Sequence, residues 1–153
     1  MSPTSPASDE MIQQAIERIW ETLPSTWHTV RGQVRRTAVE EFGVTLEQFH
    51  VLRHVRGGSA TVSEVAEAKQ ISRSAVSQAV DVLVEKGLLT RVQSRTDRRY
   101  VALALTPSGD ALLNAVFARN RAWMQAQMAG LAADDAEALL HGLAVLQGLF
   151  KNA

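Results

Sequence analysis

The stretch ISRSAVSQAVDVLVEKGLLTRVQSRTDRRYVALALT, residues 71–106, decides the fold. Its first part carries apolar residues at the spacing of one helical face, namely Val76, Ala79, Val80 and Leu83. The opposite face is polar and carries Arg73, Ser74, Ser77, Gln78 and Asp81. Ser72 is suited to cap the start of this helix, and Gly87 is suited to the left-handed residue that ends it. The pattern predicts a short amphipathic helix with one buried and one polar face.

Two β runs follow this helix, over residues 88–93 and 99–105. Val101, Leu103 and Leu105 alternate as in a half-buried strand. Between the runs lies a polar, arginine-rich tip, residues 94–98. A polar helix face is usually only solvated, and an arginine-rich hairpin is usually only a soluble edge. In direct succession they predict a DNA-reading unit, because the helix can address base edges and the arginines can reach phosphates or a narrow minor groove.

Charge and cysteine content narrow the function further. The 153 residues suit one domain, and their 16 basic and 16 acidic side chains balance. Between Lys69 and Arg99, however, seven basic residues stand against three acidic ones, which leaves +4 there and −4 elsewhere. Polyanion binding is therefore expected at the hairpin end. The absence of cysteine excludes disulfides, thiolate metal sites and thiol redox sensing.

The rest of the chain reads as helices around this unit. A loose tail (residues 1–8) precedes a helix from Asp9 to Thr22, which Pro24 is expected to kink or interrupt before helix resumes to about Phe42. Capping boxes open helices at Thr45 and Thr61. The helix at Thr61 and the one at Ser72 form a predicted helix-turn-helix. Further helices are predicted over about 107–129 and 133–151.

The first and last helices carry more apolar surface than one small lobe can cover, so we expect a homodimer. Alternatively, these helices pack only on each other. No basic and apolar leader is visible, and no apolar run approaches the ~18 residues that span a bilayer. We therefore expect a soluble, cytoplasmic protein with no membrane partner.

The chain resembles the MarR family of bacterial transcriptional regulators over nearly its whole length. The most specific part is Gly87-Leu88-Leu89-x-Arg91, the Asp97-Arg98-Arg99 wing and Leu105-Thr106-x-x-Gly109. The resemblance implies a mainly α (α+β) fold: a winged helix-turn-helix lobe (45–106) with a two-stranded wing, and N- and C-terminal helices (9–42 and 107–153) that form a dimerisation module. It also implies a homodimer that binds a palindromic site on double-stranded DNA and is released by a small aromatic or anionic effector.

The expected DNA-binding residues lie on the polar helix face and in the wing. The resemblance implies that Arg99 enters the minor groove and that Asp97 orients it. Arg73 and Gln78 are the best base readers, because Arg pairs with guanine and Gln with adenine. The full predicted set is Ser72, Arg73, Ser74, Ser77, Gln78, Arg95, Asp97, Arg98 and Arg99.

An effector pocket is expected near the aromatic and basic residues of the first helices. The candidates are Trp20, Trp27, His28, Arg31 and Arg53. Trp27 and Arg31, four apart, could instead stack on each other. His50 and His54 have the only metal-like spacing, which is common by chance, so no metal or other cofactor is expected.

Two other function classes remain as alternatives. The sequence has no phosphate loop, nucleophile elbow or acid–base cluster, so no enzyme is expected. A winged-helix module that binds protein and not DNA is the other alternative, although three wing arginines against one aspartate favour DNA.

Overall fold

The computed structural model describes residues 6–58, 61–93 and 101–151. The fold is mainly helical with one two-stranded antiparallel sheet, which confirms the predicted class. The described residues up to Phe117 form one compact unit, and those from Ala118 form a second. In chain order the elements are α1 (Asp9–Arg36), a π-helical turn (Thr37–Glu41), α2 (Leu46–Arg56), α3 (Val62–Lys69), α4 (Arg73–Glu85), β1 (Leu89–Gln93), β2 (Val101–Leu105), α5 (Pro107–Gln127) and α6 (Ala133–Phe150).

α1 runs unbroken through Pro24, so the expected interruption does not occur. Proline cannot donate a hydrogen bond to the carbonyl four residues earlier. In the same turn, the Ser25 hydroxyl donates to the carbonyls of Glu21 (3.3 Å) and Thr22 (3.0 Å). α1 contains no buried residue, so water can reach the carbonyl that Pro24 leaves free. The helix therefore continues despite the proline.

A π-helical turn joins α1 to the lobe, where the sequence predicts ordinary helix as far as Phe42. Thr37 and Ala38 are buried in this turn. Gly43 follows at φ +62°, and the amide of Val44 donates back to the carbonyl of Ala38 at 3.0 Å. A left-handed glycine and this backward hydrogen bond end the helical stretch and redirect the chain into α2.

Side-chain caps fix the starts of α2 and α3, as the sequence predicts. Thr45 accepts from the amide of Gln48 at 3.2 Å, and the Gln48 side chain accepts from the Thr45 amide at 3.0 Å. Thr61 and Glu64 form the same reciprocal pair. α3 ends at Gln70, which adopts a left-handed conformation with φ 54°. This residue makes the turn between the two helices of the helix-turn-helix.

The hairpin and the start of α5 are joined to the end of α4. Gly87 is left-handed at φ +67°, as predicted. Thr106, just before α5, donates through its hydroxyl to the carbonyl of Gly87 at 2.7 Å and accepts from the amide of Gly109 at 3.0 Å. β1 pairs with β2 in a register that sets Leu89 opposite Leu105 and Arg91 opposite Leu103. These hydrogen bonds therefore join the turn before the hairpin's first strand to the residues that follow its second strand.

One apolar core lies within the first unit. It includes residues of α2, α3, α4, both strands and α5, with Leu52, Val65, Val80, Leu83 and Leu113 fully buried. Arg56, at the end of α2, adds a polar clamp on α5. It donates to Asn114 at 2.8 Å, lies 3.6 Å from an Asp110 carboxylate oxygen and places its guanidinium carbon 4.8 Å from the Phe117 ring centroid.

The second unit consists of the end of α5 and α6. α6 contains no buried residue, and its apolar side chains are exposed, among them Leu140 (69%), Leu149 (68%) and Phe150 (60%). None of the described helices is both long enough and apolar enough to cross a membrane.

Candidate nucleic-acid interface

α4 separates a fully buried stripe from a polar stripe. Val76, Val80 and Leu83 are buried in the core. Ser72 caps the helix by accepting from the Ala75 amide at 3.1 Å, which confirms the predicted start. Of the predicted reading residues, Arg73, Ser74 and Gln78 are exposed, and Ser77 is half-buried. The helix and its two faces are as predicted, whereas the contacts of these residues with bases remain a prediction.

Asp81 continues the polar stripe, and it is paired. It lies seven residues after Ser74 and three after Gln78, which places it on the same helical face. Its Oδ1 lies 2.5 Å from Nη2 of Arg91 in β1. Leu89 and Leu103 are buried, and Arg91 lies on their face of the hairpin, because it follows Leu89 by two positions and is opposite Leu103. This pair could not be predicted from the sequence, because no local spacing relates a helix residue to one beyond the next turn.

The wing is described only in its two strands. The predicted tip residues Arg95, Asp97, Arg98 and Arg99 lie outside the described residues. Their contacts with phosphates or with the minor groove therefore remain a prediction. In the described part, Gln93 of β1 pairs with Val101 of β2, and β1 begins four residues after the end of α4.

A second tie holds the end of α4. Lys86, the residue that caps it, donates through Nζ to the carbonyl of Gly43 at 2.5 Å. Gly43 lies directly after the π-helical turn, so the end of the reading helix is bonded to the segment that leaves α1. The sequence suggested only that Lys86 suits the negative end of the helix dipole.

Two of the predicted effector residues line a common groove in the first unit. The groove has a volume of about 720 Å³ and lies between α1 and the start of α2. His28 and Arg31 line it, whereas Trp20, Trp27 and Arg53 do not. The complete lining is His28, Arg31, Gly32, Arg35, Val39, Thr45, Leu46 and Glu47. Trp20 and Trp27 are exposed instead, at 74% and 61%.

Cations surround His50 on α2. Burial, together with the positive charges of Lys69, Arg53 and Arg31, lowers the pKa of His50 to about 4. Burial also lowers the pKa of Lys69, against the opposing influence of Glu47. Within the described ranges no three His, Cys, Asp or Glu side chains group as a metal site would require. Repulsion by the neighbouring cations opposes a metal at His50, and the same charges favour an anion.

Comparison with known proteins places this geometry in a family. A family profile described as MarR family matches residues 42–99. The HTH-type transcriptional repressor MdtR of Bacillus subtilis is 39% identical over 88 residues, which cover 57% of this chain and 57% of that protein. The crystal structure of transcriptional regulator Tm0710 from Thermotoga maritima superposes with a TM-score of 0.74 at 25% identity, over 90% of this chain and 95% of that one. Residues 42–99 of this chain match the MarR family.

The match to MarR proteins is concentrated in the lobe. The first curated relatives are matched over only 50% to 64% of their own lengths. A solved structure of FabT from Streptococcus pneumoniae in complex with DNA has the same fold, with a TM-score of 0.71 at 21% identity over 90% of this chain and 98% of that one. The matched residues 42–99 contain the polar stripe of α4 and the predicted wing tip.

Proposed function

We propose that this chain is a MarR-family, DNA-binding transcriptional repressor that acts as a homodimer and responds to a small ligand. One observation carries the DNA-binding part: α4 exposes a polar stripe, Ser74, Gln78 and Asp81, with Arg73 exposed at its first residue, while Val76, Val80 and Leu83 are fully buried. A rigid helix with such a stripe fits the major groove, whose base edges it can read. One relative, MdtR, is named a transcriptional repressor, which supports repression over activation.

Within this proposal the side chains divide into base readers and positioning contacts. Arg73 can pair bidentately with guanine and Gln78 with adenine, each pair contributing about 1–3 kcal/mol of discrimination. Ser74 and Ser77 are short and suit phosphate or water-mediated contacts. Arg95, Arg98 and Arg99 would supply the phosphate or minor-groove contacts of the wing.

A binding-site selection on random DNA tests the reading helix. Wild type should enrich a palindrome with half-sites about 10 base pairs apart. Gln78→Ala should relax one symmetric pair of positions and leave non-specific binding nearly intact. Glu17→Gln is the control, because Glu17 lies exposed on α1, away from α4 and the wing, and the variant should select the wild-type motif. If wild type, Gln78→Ala and Arg73→Ala all select one motif, this face does not read bases.

The wing calls for a separate measurement. Arg99→Ala should lower affinity for all sequences and reduce the salt dependence by about one unit of slope if Arg99 meets a phosphate. An unchanged affinity at every salt concentration would mean that the hairpin is not at the DNA. Failure of both the helix variants and this variant would favour a protein-binding module instead.

Exposed apolar side chains support the homodimer. Trp20 on α1 and Leu140 and Leu149 on α6 each expose more than two thirds of their surface in the single chain. A second copy that covers such surfaces would bury apolar area of the kind that stabilises obligate dimers. Because Leu140 is exposed, Leu140→Glu should leave the protomer folded and yield a monomer by sedimentation. Glu137→Gln on the same helix should remain dimeric. A monomeric wild type would refute the assembly.

The groove between α1 and α2 supports the proposed response to a small ligand. Its volume is within the usual range for small-molecule sites, and Arg31 lies both on its wall and among the cations near His50. These charges favour an anion, and an aromatic carboxylate such as benzoate is a suitable probe. Arg31→Gln should weaken benzoate binding measured by calorimetry, whereas Arg18→Gln, elsewhere on α1, should not. Equal binding by both variants would exclude this groove.

A further inference from the structure

We propose that Arg91 is a positioning residue for DNA recognition: it neutralises Asp81 on the reading face of α4 and thereby fixes the first strand of the wing to that helix. This inference rests on the proposed DNA binding and names a residue that acts through another. Its basis is the contact of 2.5 Å between Asp81 Oδ1 and Arg91 Nη2.

The problem that the pair solves is electrostatic. Asp81 shares a helical face with Ser74 and Gln78, and its side chain is 61% exposed. A carboxylate on a surface that approaches phosphates is repelled by them at every sequence. Within about 8 Å and at an effective dielectric constant of about 40, one such charge costs about 1 kcal/mol, or roughly fivefold in affinity. A carboxylate at this position therefore favours a compensating cation.

Arg91 is placed to supply that cation. Leu89 anchors β1 in the core, and Arg91 follows on the same face of the strand, so its side chain extends toward α4. The Arg91 side chain remains 40% exposed, so the pair adds little to folding stability. Its consequence is geometric instead. A charge-assisted bond ties the strand that leads to the wing tip to the middle of the reading helix.

Double substitution separates this role from a direct contact of Arg91 with DNA. Arg91→Ala should bind all DNA sequences about three- to fivefold more weakly at moderate salt, because Asp81 is left unpaired. Asp81→Asn in the Arg91→Ala background should restore most of that loss. Arg36→Ala, which removes one positive charge at the end of α1, should change affinity by less than twofold. Circular dichroism melts should show all three variants folded.

The rescue decides between the possibilities. If the double variant binds as weakly as Arg91→Ala, then Arg91 touches DNA itself and the positioning role is wrong. If Arg91→Ala binds like wild type, Asp81 needs no neutralisation and the inference also falls. These results leave the proposed function intact, because wild type still selects its motif. A wild type without DNA binding would instead overturn both.

Discussion

Replacing Gly109 by alanine is the most direct test of how the wing is joined to α5. A Cβ at this position would lie 2.1 Å from the carbonyl oxygen of Leu88, 3.0 Å from its carbonyl carbon and 3.1 Å from Leu105 Cδ2. The first two neighbours are backbone atoms of the turn after α4 and cannot rotate away. Either the start of α5 or this turn must therefore move by about 1 Å, in a region that is packed to crystal-like density.

The expected cost follows from three contributions. Overpacking against backbone costs about 3 kcal/mol, the upper end of the usual range. The hydrogen bond from the Thr106 amide to the Leu88 carbonyl, 3.2 Å long, is displaced with it and adds about 1 kcal/mol. Alanine regains about 1 kcal/mol of helix propensity. The free energy of unfolding should therefore fall by about 3 kcal/mol, which lowers the melting temperature by roughly 6–12 °C for a chain of this size.

Urea and thermal unfolding at one fixed protein concentration measure this effect, since association would make the midpoints concentration-dependent. Gly32→Ala is the matched control: Gly32 is also helical, but nothing lies within 4 Å of its Cβ position. It should stabilise the protein by about 0.5–1 kcal/mol. A Gly109→Ala protein within about 0.5 kcal/mol of wild type would refute the close approach of α5 to Leu88.

Three further changes probe other parts of the lobe. Gln70→Gly should stabilise the protein by about 0.5 kcal/mol in urea unfolding. Glycine removes the steric cost of the left-handed φ of 54°, and the larger chain entropy of glycine in the unfolded state offsets part of this gain. A less stable variant would contradict this account of the turn. Lys86→Met should cost about 1 kcal/mol by removing the bond to the Gly43 carbonyl while its apolar stem is kept, and a urea midpoint equal to that of wild type would mean that the bond does not form in solution. The free energy of unfolding should fall as the pH is lowered from 6.5 toward 4, because His50 is protonated in the unfolded chain over this range but stays neutral in the folded chain. His50→Gln should show a shallower decline; an identical decline would mean that other groups cause it.

The helix-turn-helix could be predicted from the sequence because the residue patterns that indicate it lie close together in the chain. Thr45 with Gln48 and Thr61 with Glu64 cap helices across one turn, and the structure forms both pairs. The apolar spacing of α4 likewise predicts its buried face, since helical geometry alone relates the positions. The identity of the reading helix follows from residues within a dozen positions of each other.

The long-range contacts between elements of the lobe and its neighbours could not be predicted in the same way. Lys86 and Gly43 are 43 positions apart, and Arg56 and Asn114 are 58 apart. Their meeting depends on how the core packs, about which neither residue carries a local signal. Pro24 misled the prediction for the opposite reason. Proline usually breaks a helix, but α1 is exposed, so water can bind the carbonyl that Pro24 leaves without a donor and the helix continues.

The π-helical turn after α1 also fixes how far α1 is rotated about its own axis relative to the lobe. Such a turn holds one residue more than an α-helical turn, and each residue of an α-helix advances the chain by about 100°. Removing one residue from Thr37–Glu41 would let ordinary helix continue, and every side chain of α1 would rotate by about 100° relative to the lobe. Trp20 and its apolar neighbours would then face a different direction while the composition of α1 and α4 stayed the same. Insertions and deletions at this turn thus change the surface that α1 presents more than any single substitution in α1.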